Sequence, residues 1–189
     1  AALLASLIDG DGRIQIPGFY DDVIGLTESE RKQFEELGFD EAAFKQQIGV
    51  HAVTGEKGFS TLERKWARPT FDINGLWSGY EGEGAKTVLP ARAGAKFSFR
   101  LVPAQDPEKI ASALKSYLQE HCPPGIELEL QEMHHAPGVV VPLESPYLSA
   151  ASRAIEAGFG KLPVYIREGG SIPIVTSFKT LLNMDTLLL

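Results

Sequence analysis

A length of 189 residues suffices for one large domain, or for one small domain joined to a piece of another. A formal charge of −7 leaves no basic stripe for nucleic acid, and no apolar run approaches the roughly 20 residues that a bilayer-spanning helix needs. The single cysteine, Cys122, excludes an internal disulfide and argues against a thiolate zinc site, which fits a reducing, cytoplasmic compartment.

The opening "AALLASLIDG" has neither Met nor a basic n-region, so it is no signal peptide. It reads as the end of an amphipathic helix over 1–8, closed by the turn Asp9-Gly10-Asp11-Gly12. Together with the closing "NMDTLLL" it looks cut from a longer protein. "RIQIPGFYDDV" is extended, with a break at Pro17-Gly18. "TESERKQFEELG" predicts a helix with a capping box, Thr27 at the N-cap and Glu30 three residues on. "DEAAFKQQIG" predicts a second helix, capped by Asp40 and stopped at Gly49. The stretch from 11 to about 68 has a charged, mixed surface and no repeat, and reads as an insertion decorating a smaller core.

"TFDINGLW" (70–77) and "AKFSFRLV" (95–102) have strand character. In the second, Ala95, Phe97, Phe99 and Leu101 share one face, and Lys96, Ser98, Arg100 and Val102 the other. "DPEKIASALKSYLQEH" is a helix with Asp106 as N-cap and Pro107 at its first position, burying Ile110, Leu114, Tyr117 and Leu118. "IELELQ" (126–131) alternates again. With one strand before Ala1, this order becomes β-α-β-β-α-β: an α+β, ferredoxin-like unit with a four-stranded antiparallel sheet and two helices on one face, its first strand missing. After about residue 140 the character changes to a helix (146–158), a short strand "PVYIRE", a glycine turn into another helix, and an apolar strand "MDTLLL". That is part of an α/β sheet.

Several stretches suggest chemistry. "GYEGEGAKT" imitates a phosphate loop, but Ala85 puts the spacing off by one and Glu81 and Glu83 would oppose an anion. A strand follows where a helix N-terminus is required. His134 and His135 are neighbours that point opposite ways in an extended chain and do not share a metal readily. His121 and Cys122 flank a helix end, His51 stands alone, and Asp21-Asp22 has no third ligand nearby. Arg100 projects away from the Phe97 and Phe99 face, and its planar fork suits a carboxylate held bidentately.

The joined motifs "GEGAKTVLP", "FSFRLVP" and "REGGSIPI", in this order and spacing, resemble the two-zinc metallopeptidase family of carnosine dipeptidase, cytosolic nonspecific dipeptidase, aminoacylase and succinyl-diaminopimelate desuccinylase. The likeness is strongest to the nonspecific dipeptidase and carnosinase branch, and covers most of the chain. It implies that residues 1–140 are a lid and dimerisation domain, with 11–68 an insertion within it. Residues 141–189 are then a fragment of the α/β catalytic domain. It also implies that the zinc ligands lie elsewhere: the family's His-x-Asp, Glu-Glu pair and further Asp upstream of this chain, and its last His downstream. The lid histidine of its "HSG" motif falls just before Ala1. The intact enzyme would then attack a peptide carbonyl with a zinc-bound water, while this chain alone would bind no metal and be inactive.

By the same resemblance Thr87 and Arg100 contact the substrate, Thr87 reaching the site of the other subunit of a homodimer. Ser171 contacts it too, and Arg167, Glu168, Gly169 and Gly170 line the site. Read from the residues alone, Asn74, which precedes Gly75 in its strand, reaches toward the cleft and ranks below Thr87. The implied partners are a second copy of the chain and a small peptide, with no nucleic acid and no membrane. The alternative is a stand-alone ferredoxin-like module that dimerises or binds a small ligand without catalysis.

Overall fold

A computed structural model of the chain describes residues 1–167 and 172–188. The first helix, α1 (Ala2–Ala5), is a single turn that runs on to the fully buried Leu7. Ile8 then bridges Ile14 in antiparallel fashion. The Asp9 carboxylate closes this reversal by accepting the N–H groups of Asp11 and Arg13 at 2.9 and 2.8 Å. Gly12 is required here: its φ is +77°, and a Cβ on it would stand 2.6 Å from the carbonyl oxygen of Gly55.

Residues 14–20 feed the core directly. Ile14, Ile16 and Phe19 are buried with Leu7, Ile110, Tyr117 and Leu118, and Phe71, Phe97, Phe99, Leu114 and Leu128 pack around them. The beginning of the segment read as a decorating insertion is thus part of the core.

Beyond it, three helices follow their caps. α2 (Glu28–Glu36) opens on the expected capping box of Thr27 and Glu30. α3 (Glu41–Ile48) is capped by the Asp40 carboxylate and ends at a left-handed Gly49. The third, α4 (Thr61–Trp66), was not expected. Its signal is the second capping box, Ser60 with Glu63. Phe34 and Trp66 meet edge to face at 4.9 Å between α2 and α4.

This segment is stapled at its base. The Glu56 carboxylate is almost fully buried. It accepts from Arg68 at 2.6 and 2.8 Å and from Arg13 at 3.2 Å, and the Glu56 carbonyl accepts from Arg64 at 2.9 Å. The Arg68 guanidinium also lies over the rings of Tyr20 and Phe59.

The sheet is built from β1 (Thr70–Ser78) and β2 (Ala93–Arg100). They pair antiparallel with Thr70 opposite Arg100 and Ile73 opposite Phe97, and a bulge between Ile73 and Gly75 shifts the register so that Gly75 faces Lys96. β2 begins and ends two residues earlier than its alternation suggests. Val102 is therefore not on the open face with Arg100 but buried, because the chain turns after Arg100 and the Gln105 carboxamide takes the Val102 N–H at 2.8 Å. Next comes α5 (Pro107–Glu120), capped by Asp106, with Ile110, Tyr117 and Leu118 turned into the core as its periodicity requires.

Among the described residues the sheet has two strands, where four were expected. Residues 126–131 alternate, and Leu128 packs on the core, yet they form no ladder. Alternation reports one-sided burial, whereas a strand also needs a hydrogen-bonded neighbour, and no described residue supplies it. The same holds for 163–167 and 184–188, read above as strands and free of ladder bonds. The α+β class stands, with seven helices among the described residues. The last two are α6 (Pro146–Phe159) and α7 (Pro173–Leu182), neither of which buries a residue. None of the helices is long and apolar enough to cross a membrane.

Candidate functional site

The sheet separates its two faces by side-chain parity. Phe71, Phe97 and Phe99 turn toward α5 and the core, with ring centroids 5.0 to 6.0 Å apart. The opposite face carries Thr70, Asp72, Ser98 and Arg100, paired Thr70 to Arg100 and Asp72 to Ser98. Arg100 is exposed there, and among the described residues it makes no hydrogen bond or ion pair. Asp72, diagonal to it, accepts instead from the Thr70 hydroxyl at 2.7 Å. An unpaired guanidinium on an open sheet face can donate two parallel N–H bonds to a carboxylate. Farther along this face the Trp77 indole fills the space where a side chain on Gly94 would stand.

Asn74 is the extra residue at the bulge, between Ile73 and Gly75, and is exposed. A bulge re-aims the side chain it carries. Thr87 lies in the exposed connection 79–92 between the strands. That connection has its own order: the Tyr80 hydroxyl donates to the Glu83 carbonyl at 3.0 Å, and the Lys86 ammonium sits 5.2 Å from the Tyr80 ring centroid. Lys86 is thus turned onto an aromatic ring, and the stretch leads into β2, in keeping with the rejection of a phosphate loop.

Arg167 stands apart from these three and is held by Glu30 of α2, with Nε and a terminal nitrogen at 2.8 and 2.6 Å from Oε1. Glu168, Gly169, Gly170 and Ser171 lie outside the described residues; the helix that follows them, α7, has Ile172 at its N-cap. Among the described residues, no hydrogen bond or ion pair joins Asn74, Thr87, Arg100 and Arg167 to one another.

Three polar features escaped sequence reasoning. Gln105, almost fully buried, takes the Val102 N–H and donates to the Phe19 carbonyl at 2.7 Å, tying the end of β2 to the turn at Phe19. No local pattern announces it. The Glu30 and Arg167 pair is equally non-local, although the capping box flagged Glu30. The third is His135, whose Nδ1 lies 2.8 Å from Glu132 and whose Nε2 lies 2.9 Å from Glu108. Desolvation opposes a charged ring there, but the hydrogen bonds to Glu108 and Glu132 outweigh it and hold His135 above the ordinary histidine range.

The donors Glu108, Glu132 and His135 are also the close-set His and carboxylate group found among the described residues. They do not fit a catalytic metal. All three are exposed, and each ring nitrogen already faces a carboxylate oxygen, the geometry of an imidazolium shared by two anions. His121 is stacked on Tyr117 at 3.9 Å with its Nδ1 against the Tyr117 carbonyl, and Asp22 is paired with Lys109 at 2.8 Å. Both are structural.

Residues 1–126 match the family model described as the peptidase dimerisation domain. Among curated proteins, the chain is 34% identical over 99% of its length to the Cys-Gly metallodipeptidase DUG1 of Saccharomyces cerevisiae. It is 29% identical over 100% of its length to the human Beta-Ala-His dipeptidase. It spans about 40% of the length of the first and 38% of the second. Among solved structures, an M20 family metallo-carboxypeptidase, Sso-CP2, from Sulfolobus solfataricus superposes with a TM-score of 0.83 at 32% identity, covering 96% of this chain and 41% of that one. Human carnosine dipeptidase 1 superposes with a TM-score of 0.80 at 28% identity, covering 97% of this chain and 40% of the other.

Proposed function

The chain belongs to the peptidase dimerisation domain family of the M20 metallopeptidases, and on that premise we propose that it is the lid and dimerisation part of a metal-dependent dipeptidase. Residues 1–140 form the lid, with 11–68 inserted in it, and 141–189 belong to the catalytic domain. In the whole enzyme a strand ahead of Ala1 pairs with 126–131 and completes the four-stranded sheet. Two lids pair across a two-fold axis.

The metal, two zinc ions, is held by polypeptide outside these residues, a reading supported by the candidate donor group among the described residues being a hydrogen-bonded trio on the lid surface. Accordingly the chain alone is inactive and takes up no catalytic zinc. In the whole enzyme Arg100 anchors the substrate carboxylate. Thr87 and Asn74 close over the substrate, Thr87 toward the partner's site, while Arg167, Glu168, Gly169, Gly170 and Ser171 line the far side.

The observation that supports this most is Arg100: exposed, unpaired among the described residues and on the sheet face opposite the core. A charge-assisted hydrogen bond contributes roughly 1.5–3 kcal/mol, so Arg100→Met in the full-length enzyme should lower kcat/KM for a dipeptide by about 10- to 150-fold. The loss should be much smaller for the same dipeptide with an amidated C-terminus. Equal losses on both substrates would refute the role given to Arg100. Failure of the wild-type enzyme to cleave any dipeptide would refute the functional reading.

A further inference from the structure

We infer that Glu30, in the lid insertion, is a positioning residue that holds Arg167 in place; this rests on the assignment of Arg167 to the substrate site.

The carboxylate of Glu30 is divided between two tasks. Oε2 accepts the Thr27 N–H at 2.8 Å and the Thr27 hydroxyl at 2.9 Å, which starts α2. Oε1 accepts the Nε–H of Arg167, 137 positions away, at 2.8 Å and lies 2.6 Å from one of its terminal nitrogens in the ion pair. A capping box needs only the first of these. Both side chains are about four-fifths covered, at 18% and 19% exposure, so solvent screens the pair far less than a surface ion pair. Burial works to raise the Glu30 pKa, but the two Thr27 bonds and Arg167 prevail and keep it below the usual carboxylate range.

The pairing also decides what Arg167 can do. The edge formed by its Nε and one terminal nitrogen is committed to Glu30, so that edge cannot clasp a substrate carboxylate. Among the described residues Arg100 has no such engagement. The two arginines thus divide the work: Arg100 contacts the substrate, and Arg167 ties the catalytic segment to the insertion. An insertion otherwise remote from the chemistry acquires a part in shaping the site.

Glu30→Gln isolates this role, because glutamine serves at the third helical position of a capping box and leaves α2 capped. The full-length enzyme would be assayed as wild type, Glu30→Gln, Arg167→Met and the double variant, with a dipeptide varied through its KM. Glu30→Gln should raise KM roughly fivefold or more with kcat within about twofold, and should add nothing in the Arg167→Met background. The midpoint of thermal unfolding should stay close to wild type. An unchanged KM, or the same rise in both backgrounds, would overturn the inference. Should wild type cleave no dipeptide, the substrate-site reading falls, and the inference falls with it. The nuclear magnetic resonance signal of the Arg167 Nε–H then reports separately on the ion pair, which stands if Glu30→Gln shifts that signal and fails if it does not.

Discussion

Replacing Gln105 by Glu changes one NH2 group to an oxygen and little else, yet the surroundings make it a severe substitution. The wild-type side chain bridges two backbone groups, accepting from Val102 N–H at 2.8 Å and donating to the Phe19 carbonyl at 2.7 Å, while only 2% exposed. An ionised carboxylate keeps the first bond, loses the second, and faces the Phe19 oxygen. Burial of this degree raises a carboxyl pKa by roughly 3 units, which at 1.36 kcal/mol per unit is about 4 kcal/mol of lost stability once the pH is above the raised value.

The sign of the pH dependence follows. A carboxyl whose folded-state pKa is raised carries no such penalty below its unfolded value near 4.3; the penalty grows above that and is complete once the pH passes the folded value. Urea unfolding of the variant should therefore approach wild-type stability near pH 4 and fall behind it by several kcal/mol at pH 8. Gln105→Ala, which strands both backbone groups at about 1–3 kcal/mol each, should lose stability at every pH. A Glu variant whose deficit stays the same from pH 4 to 8 or is below about 1 kcal/mol at pH 8, or an Ala variant losing less than about 1 kcal/mol, would refute the claim that this bridge holds the end of β2. Since β2 carries Arg100, the outcome bears on the site as well as the fold.

Glu56→Gln leaves the Arg68 guanidinium, 11% exposed, facing an uncharged amide with Arg13 close by, and should cost roughly 3–5 kcal/mol; hydrogen exchange at the Lys57 amide, bonded to Asp11 at 2.8 Å, would show the loss locally. Gly12→Ala combines a left-handed backbone with a collision at the Gly55 carbonyl and should destabilise by more than about 1 kcal/mol, read from the denaturation midpoint; a neutral result would mean that the two loops separate easily. His135 should titrate above the ordinary 6.5, so its contribution to stability is present below that value and is lost as pH rises through the folded-state pKa. Ring nitrogen shifts would report it, and Glu108→Gln should bring the pKa down; a pKa at or below 6.5 would contradict the shared imidazolium.

How much of this was legible beforehand depends on the range of the interaction. Thr27 with Glu30, Asp40, and Asp106 with Pro107 announce helix starts within four residues, and the structure forms each of those helices at its cap. The alternation of Ala95 to Leu101 put Arg100 on the face opposite Phe97 and Phe99, which the strand pairing bears out. The Ser60 and Glu63 box was equally local, and α4 could have been read from it. By contrast "IELELQ" states which side of a segment is apolar and says nothing about which strand lies beside it, so its pairing could not be read. Bonds such as Gln105 to Phe19, 86 positions apart, and Arg167 to Glu30 exist only because the fold brings distant segments together. A sequence by itself thus determines caps, periodicity and the side an arginine leaves a strand, because those depend on neighbours along the chain. Ladder partners, the burial of Val102 and the capture of Arg167 were decided by tertiary structure, because each depends on which other surface closes the remaining hydrogen bonds.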